Sequence, residues 1–256
     1  MMQPAGFFIP GFSEGTTRWQ ELLPARWRVI NQPGHGLPPA APYDEWLAQI
    51  LESIRATMEA RQETFWLGGY SMGGRLALQI VHQLAVQQPA LLPRLRLLLL
   101  STRTGLFTPS ERSARRDKDA AIATRLRRDG LDAFSDWWSQ VPVLQPYTPW
   151  SSDEIEGQRQ ERQQHNSETL ATTLVTCSPG ALPDMAPFIK TWRQAGLRSE
   201  GHCLLVGAND EPYQEPMTAI AAALSSDLHA IADCRHAIHR EQPAALNDIL
   251  SRLIVR

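Results

Sequence analysis

Short apolar runs alternate along the chain with longer segments of helical period. Phe7-Phe8-Ile9 closes on Pro10-Gly11 and reads as a strand entering a loop. Thr16 to Leu23 offers a cap followed by Trp19, Leu22 and Leu23 at helical spacing. Trp27 to Ile30 reads as a second strand, ended by the turn-rich Pro33-Gly34-His35-Gly36. From Tyr43 to Met58, the residues Trp46, Leu47, Ile50, Leu51 and Ile54 share one helical face. Thr64 to Gly68 reads as a strand, Met72 to Leu84 as a helix, and Leu95 to Leu100 as a strand again. This alternation predicts an α/β fold with a mostly parallel sheet flanked by helices.

The pattern breaks after Ser101. Through residues 105–196 the period is helical, polar and Arg-rich, and Pro142, Pro146, Pro149, Pro179, Pro183 and Pro187 are expected to cut it into short helices. Gln158 to Gln164 is expected to be a solvated helix face. Alternation resumes with strands at Cys203 to Val206 and Leu228 to Ile231, and helices at Pro216 to Leu224 and Pro243 to Ile254. The expected organisation is a core in two parts, 1–104 and 197–256, with a helical lid insertion at 105–196.

Composition narrows the classes. With 25 basic and 27 acidic side chains the net charge is −2, which argues against a general nucleic-acid binder. No apolar run approaches the roughly 18–20 residues that span a bilayer, and Met1 to Gly6 carries no basic stretch of a signal peptide. Cys177, Cys203 and Cys234 are odd in number and widely spaced, so neither a disulfide framework nor a metal site is expected. A reducing cytoplasm fits this best. The basic residues are 23 arginines and two lysines, Lys118 and Lys190. Genomic base composition explains such a bias; so would arginines that clamp carboxylates with a planar fork.

Gly69-Tyr70-Ser71-Met72-Gly73 fits G-x-S-x-G between a predicted strand and a predicted helix. In that context Ser71 is a candidate nucleophile on a strained turn, with the helix amino end beside it for a developing oxyanion. A serine hydroxyl needs a base, and a histidine base needs an acid to fix its tautomer. Asp210, following the strand Leu204-Leu205-Val206, is the candidate acid, and His236 the candidate base; His239 competes with it. His35 reads as part of a structural turn, and Asp233 as too near His236 to reach its far nitrogen. The oxyanion donors would be the N–H groups of Met72 and of Phe12, in the loop after the first strand.

In these residues the chain resembles the α/β-hydrolase superfamily, and within it the lyase family of the 2-succinyl-6-hydroxy-2,4-cyclohexadiene-1-carboxylate synthases of menaquinone synthesis. The resemblance rests on Pro10-Gly11-Phe12-Ser13 with Trp19, Pro33-Gly34-His35-Gly36 and Gly69 to Arg75. It continues through the arginines near Arg112 and Arg115, Phe134-Ser135-Asp136-Trp137-Trp138, Arg162 before His165-Asn166, and His236 to Glu241 with Pro243. It implies no cofactor and a small-molecule polycarboxylate substrate. It also implies elimination of pyruvate from 2-succinyl-5-enolpyruvyl-6-hydroxy-3-cyclohexene-1-carboxylate, with the triad acting as base. By position, Arg75, Arg115 and Arg162 would bind carboxylates, and Tyr70 and Trp137 would line the same pocket; Arg112 and Arg116 are alternatives to Arg115. Pro10 stands where many relatives have histidine, and Asn31 where they usually have aspartate. The superfamily's leading antiparallel strands are expected to be short or absent. A carboxylesterase or thioesterase working through an acyl-serine is the competing activity, and a non-catalytic scaffold for an acidic ligand a third.

Overall fold

The computed structural model describes residues 4–254. Six strands form one sheet: β1 (Gly6–Ile9), β2 (Trp27–Val29), β3 (Phe65–Tyr70), β4 (Leu95–Leu100), β5 (Cys203–Gly207) and β6 (Leu228–Ile231). Their order is β2-β1-β3-β4-β5-β6, and every adjacent pair is parallel. The expected α/β class with a mostly parallel sheet holds.

Strand residues alternate between two cores because successive side chains leave opposite faces. Phe7, Ile9, Leu67, Leu97, Leu99 and Leu204 enter one core; Phe8, Trp66, Leu98, Leu100 and Leu205 enter the other. Against the first face lie α2 (Tyr43–Glu59) and α3 (Met72–Gln87). Helix α1 (Thr17–Leu22) contributes Trp19 to the second face.

Between β4 and β5, which pair directly at Leu98 and Cys203, the chain is helical without a strand. It contains α4 (Pro109–Trp138), α5 (Ser152–Gln163), α6 (Ser167–Thr176) and α7 (Ile189–Gln194). The expectation of short helices fails for α4, whose first helical stretch runs over residues 109–129 before a break leads into a second at 131–138. Its single proline stands at the first helical position, where no N–H is needed, and Thr108 and Glu111 form a capping box. Only Gly130, at φ 73°, interrupts it. The chain then closes with α8 (Glu211–Leu224), the short α9 (Ile238–Glu241) and α10 (Pro243–Ile254). No helix among the described residues is long and apolar enough to cross a membrane.

Candidate active site

Ser71 sits between β3 and α3 with φ 53° and ψ −111°, a conformation an L residue adopts only under constraint. Two glycines make the turn possible. A Cβ on Gly69 would lie 2.3 Å from the Gly73 carbonyl carbon, and one on Gly73 only 1.9 Å from the Ile9 oxygen. The Ser71 carbonyl accepts from Thr102 Oγ1 at 2.7 Å, and its N–H continues the sheet to Leu100 O. The hydroxyl is thereby presented at the carboxyl end of β3.

His236 Nε2 lies 2.9 Å from Ser71 Oγ, and His236 Nδ1 lies 2.8 Å from Asp210 Oδ2. A carboxylate only accepts, so the proton belongs on Nδ1 and bare Nε2 faces the hydroxyl. Asp210 is buried at the amino end of α8, and the His236 ring is flanked by Tyr213 at 4.4 Å and Tyr70 at 5.1 Å between centroids. His239 is elsewhere. It is buried, stacked on Trp19 at 4.3 Å, with Nε2 3.0 Å from Glu14 Oε1. Burial pushes its pKa down, against the pull of the Glu14 carboxylate beside it.

The loop after β1 accounts for its amides one by one. Gly11 N–H donates to Glu14 Oε2 at 2.9 Å, Ser13 N–H to His35 Nε2 at 3.0 Å, and Glu14 N–H to Gly11 O at 3.1 Å. Within residues 11–14 the Phe12 N–H alone has no partner among the described residues. It borders the same cleft as Met72, whose N–H belongs to the unpaired first turn of α3. His35 is a loop tie: its Nδ1–H donates to Pro33 O at 2.9 Å. Burial would raise the Glu14 carboxyl, but His239, Arg240 and the Trp19 N–H outweigh it and hold it at about 2.

The cleft, of about 160 Å³, is floored by Ser71, Met72, Phe12 and His236 and walled by cations from four segments. Arg75, one turn beyond Ser71, is 5% exposed and makes no side-chain hydrogen bond or ion pair with the described residues. Burial, and Arg115 nearby, bring its pKa down to about 10. Arg162 of α5 is also buried; its one side-chain partner among the described residues is Gln158 Oε1 at 3.2 Å, and burial with Arg240 nearby brings its pKa down to about 10. The Gln158 to Gln164 face is therefore only partly solvated, because Arg162 turns inward. Arg115 lines the cleft but pairs with Asp119 at 2.8 Å. Arg112 and Arg116 reach instead for the carbonyls of Gly180 and Ala181.

Tyr70 lines the cleft, and of the two tryptophans Trp138 does. Trp137 is instead in an outer groove, where the Arg125 guanidinium lies 4.5 Å from its ring centroid. Neighbouring helical residues point about 100° apart, so only one of such a pair can face inward. Sequence reasoning also passed over Glu14, Lys118, Tyr213, Glu161 and Arg240, all of which border the cleft. Among the described residues no group of three or more His, Cys, Asp or Glu is placed to hold a metal ion.

Comparison with known proteins agrees with this architecture. Residues 7–249 match the alpha/beta hydrolase family model. The 2-succinyl-6-hydroxy-2,4-cyclohexadiene-1-carboxylate synthase of Citrobacter koseri is 32% identical over 254 residues, covering 96% of this chain and 92% of that protein. Among solved structures, MenH from S. aureus superposes with a TM-score of 0.82 at 22% identity, covering 100% of this chain and 94% of that one. A carboxylesterase from Nitrososphaera gargenis superposes with a TM-score of 0.71 at 16% identity, covering 99% and 90%. These two likenesses speak to fold. The family match and the near full-length identity go further: the chain belongs to the α/β-hydrolase family of enzymes, in its 2-succinyl-6-hydroxy-2,4-cyclohexadiene-1-carboxylate synthase branch.

Proposed function

We propose that the protein is a carbon–oxygen lyase of menaquinone synthesis. It eliminates pyruvate from 2-succinyl-5-enolpyruvyl-6-hydroxy-3-cyclohexene-1-carboxylate, using Ser71, His236 and Asp210 as a base relay rather than through an acyl-serine. The observation that carries this reading is the pair of largely buried guanidiniums, Arg75 and Arg162, which border the cleft with no acidic partner among the described residues. A buried unpaired cation is costly, and a carboxylate ligand offsets that cost with charge-assisted, bidentate contacts. A neutral ester would leave both cations bare.

In this reading Ser71 Oγ takes the ring proton α to the succinyl ketone while passing its own to His236 Nε2. Asp210 stabilises the resulting imidazolium. The C–H electron pair moves onto the ketone oxygen, where the Phe12 and Met72 N–H groups receive the enolate. Collapse of the enolate shifts the ring double bond and breaks the C–O bond to the enolpyruvyl group. The departing enolate of pyruvate takes up the proton now on Ser71 Oγ to become pyruvate, and the His236 proton returns to the serine. Residues 105–196 act as a lid that brings Arg115, Arg162 and Trp138 over the ring. The free, buried cysteines suit a reducing cytoplasm.

The experiment is direct: incubate the protein with the enolpyruvyl substrate and follow pyruvate with lactate dehydrogenase. Pyruvate release that vanishes in Ser71→Ala supports the lyase. The competing reading, an esterase, draws on the Ser71–His236 contact already formed at 2.9 Å beside two free amides. Brisk turnover of p-nitrophenyl butyrate with no pyruvate release would install it instead.

A further inference from the structure

Two adjacent residues, Arg240 and Glu241, join the base-bearing loop to the inserted helices. Arg240 Nη1 donates to Glu154 Oε1 at 2.6 Å, and its Nη2 meets Glu161 Oε2. Glu154 and Glu161 are two helical turns apart on α5, so one face of that helix presents both. The remaining oxygen of Glu161 accepts the Gly15 N–H at 2.8 Å, and that of Glu154 lies 3.4 Å from Arg18 Nη1. The Arg240 side chain is only 7% exposed, so this pairing is largely out of water. Arg162 follows Glu161 directly. The rotation of α5 that seats Glu161 on Arg240 and Gly15 thus also turns Arg162 into the cleft.

Glu241 works on the other side. Its carboxylate accepts the N–H groups of Arg235 at 3.2 Å and Ala237 at 3.1 Å, the residues on either side of His236. It also accepts the Tyr147 N–H, from the inserted segment, at 2.6 Å. One dipeptide therefore holds the inserted helices with one side chain and the backbone around His236 with the next.

We propose that Arg240 and Glu241 are positioning residues that form a strap between α5 and the His236 loop. Arg240 sets the placement of Arg162, and Glu241 sets that of His236. The inference rests on the reading of Arg162 as a carboxylate contact. Arg240 borders the cleft, but both of its terminal nitrogens are held by glutamates, which separates it from the ligand-free Arg75.

The test compares two substrates, the enolpyruvyl cyclohexene and p-nitrophenyl acetate, across Arg240→Met, Arg240→Lys, Glu161→Gln, Arg240→Met with Glu161→Gln, and Glu241→Gln. Thermal melts check folding first. Arg240→Met is expected to raise KM for the carboxylated substrate by about 10- to 100-fold, the scale of a misplacement near 1 Å. The ester should lose at least ten times less. Arg240→Lys should recover part, because an ammonium cannot span both glutamates. Glu161→Gln should move KM in the same direction, and the double variant should be little worse than the worse single one. Glu241→Gln should instead lower kcat on both substrates with little change in KM.

Equal losses on both substrates in Arg240→Met would overturn the proposal. So would tighter binding in Glu161→Gln, since a freed Arg240 would then be a direct ligand. Should Arg240→Met not fold, Glu161→Gln decides. Should the wild type release no pyruvate, the lyase reading fails, and the strap is judged on hydrogen exchange across residues 152–163. Faster exchange in Arg240→Met than in wild type retains it, and unchanged exchange overturns it.

Discussion

Gly73 lies so close beneath Ile9 that a Cβ on it would stand 1.9 Å from the Ile9 carbonyl oxygen. That contact sets the first turn of α3 against the end of β1, and it brings the Met72 and Phe12 amides to one cleft from segments some sixty residues apart in sequence. Gly73→Ala should therefore cost at least about 3 kcal/mol, at the upper end for overpacking, because the clash is with backbone that cannot rotate away. A urea titration measures it. Wild-type stability would mean that α3 can slide along the sheet.

Ser71→Ala and His236→Ala should each lower kcat by several orders of magnitude with the melt intact, and the double variant should be little worse than either. His239→Ala is the control. With Nε2 against Glu14 rather than Ser71, it should act through stability, losing the stacking on Trp19 while retaining most of kcat. A collapse of kcat in folded His239→Ala would reassign the base.

Arg75→Met should part binding from stability. A desolvated charge–carboxylate contact is worth roughly 2–5 kcal/mol on truncation, so kcat/KM for the carboxylated substrate should fall by about 30-fold or more. The ligand-free protein should melt about 2–4 °C higher, since an apolar side chain replaces a buried cation without a partner. Lower activity with a lower melt would make Arg75 a fold residue.

Acid should unfold the protein through its histidines. His35, His165 and His202 each accept a backbone N–H with one ring nitrogen, from Ser13, Gly36 and Leu97. Burial lowers their pKa values to about 3, about 4 and about 4 from 6.5. The unfolded chain then binds protons that the folded one refuses. Stability is full above pH 6.5 and falls as pH drops toward 4, by up to about 1.4 kcal/mol per pH unit for each ring. Urea midpoints at pH 7, 6 and 5 should fall steadily. His35→Gln, which keeps an acceptor but cannot titrate, should flatten the slope.

Much of this architecture could be read from residue order. The strands at Leu95–Leu100 and Leu228–Ile231 end where their apolar runs end, although Arg96 interrupts the first and His229 the second, a half-buried strand at the sheet edge. Helix α4 was less legible. Its apolar positions are sparse, so its length shows only once Ala123, Leu126 and Phe134 meet the core. The strap and the loop ties were not legible at all. Gly15 meets Glu161 across 146 positions, and Arg240 meets Glu154 across 86, with no local pattern to mark either partner. The pair Trp137-Trp138 shows the limit differently: helical phase says that one faces inward, but only the bend at Gly130 and its packing decide which.

Two cleft-facing guanidiniums with no acidic partner among the described residues attract anions from solution. Any small anion that fits, such as phosphate, citrate or a metabolic carboxylate, gains from entering. An anionic substrate then competes with such ions for the same guanidiniums. Its apparent affinity becomes a property of the medium as well as of the protein, so two laboratories using different buffers would record different KM values for one enzyme. In a cell, the background pool of organic acids would set the working sensitivity of the site.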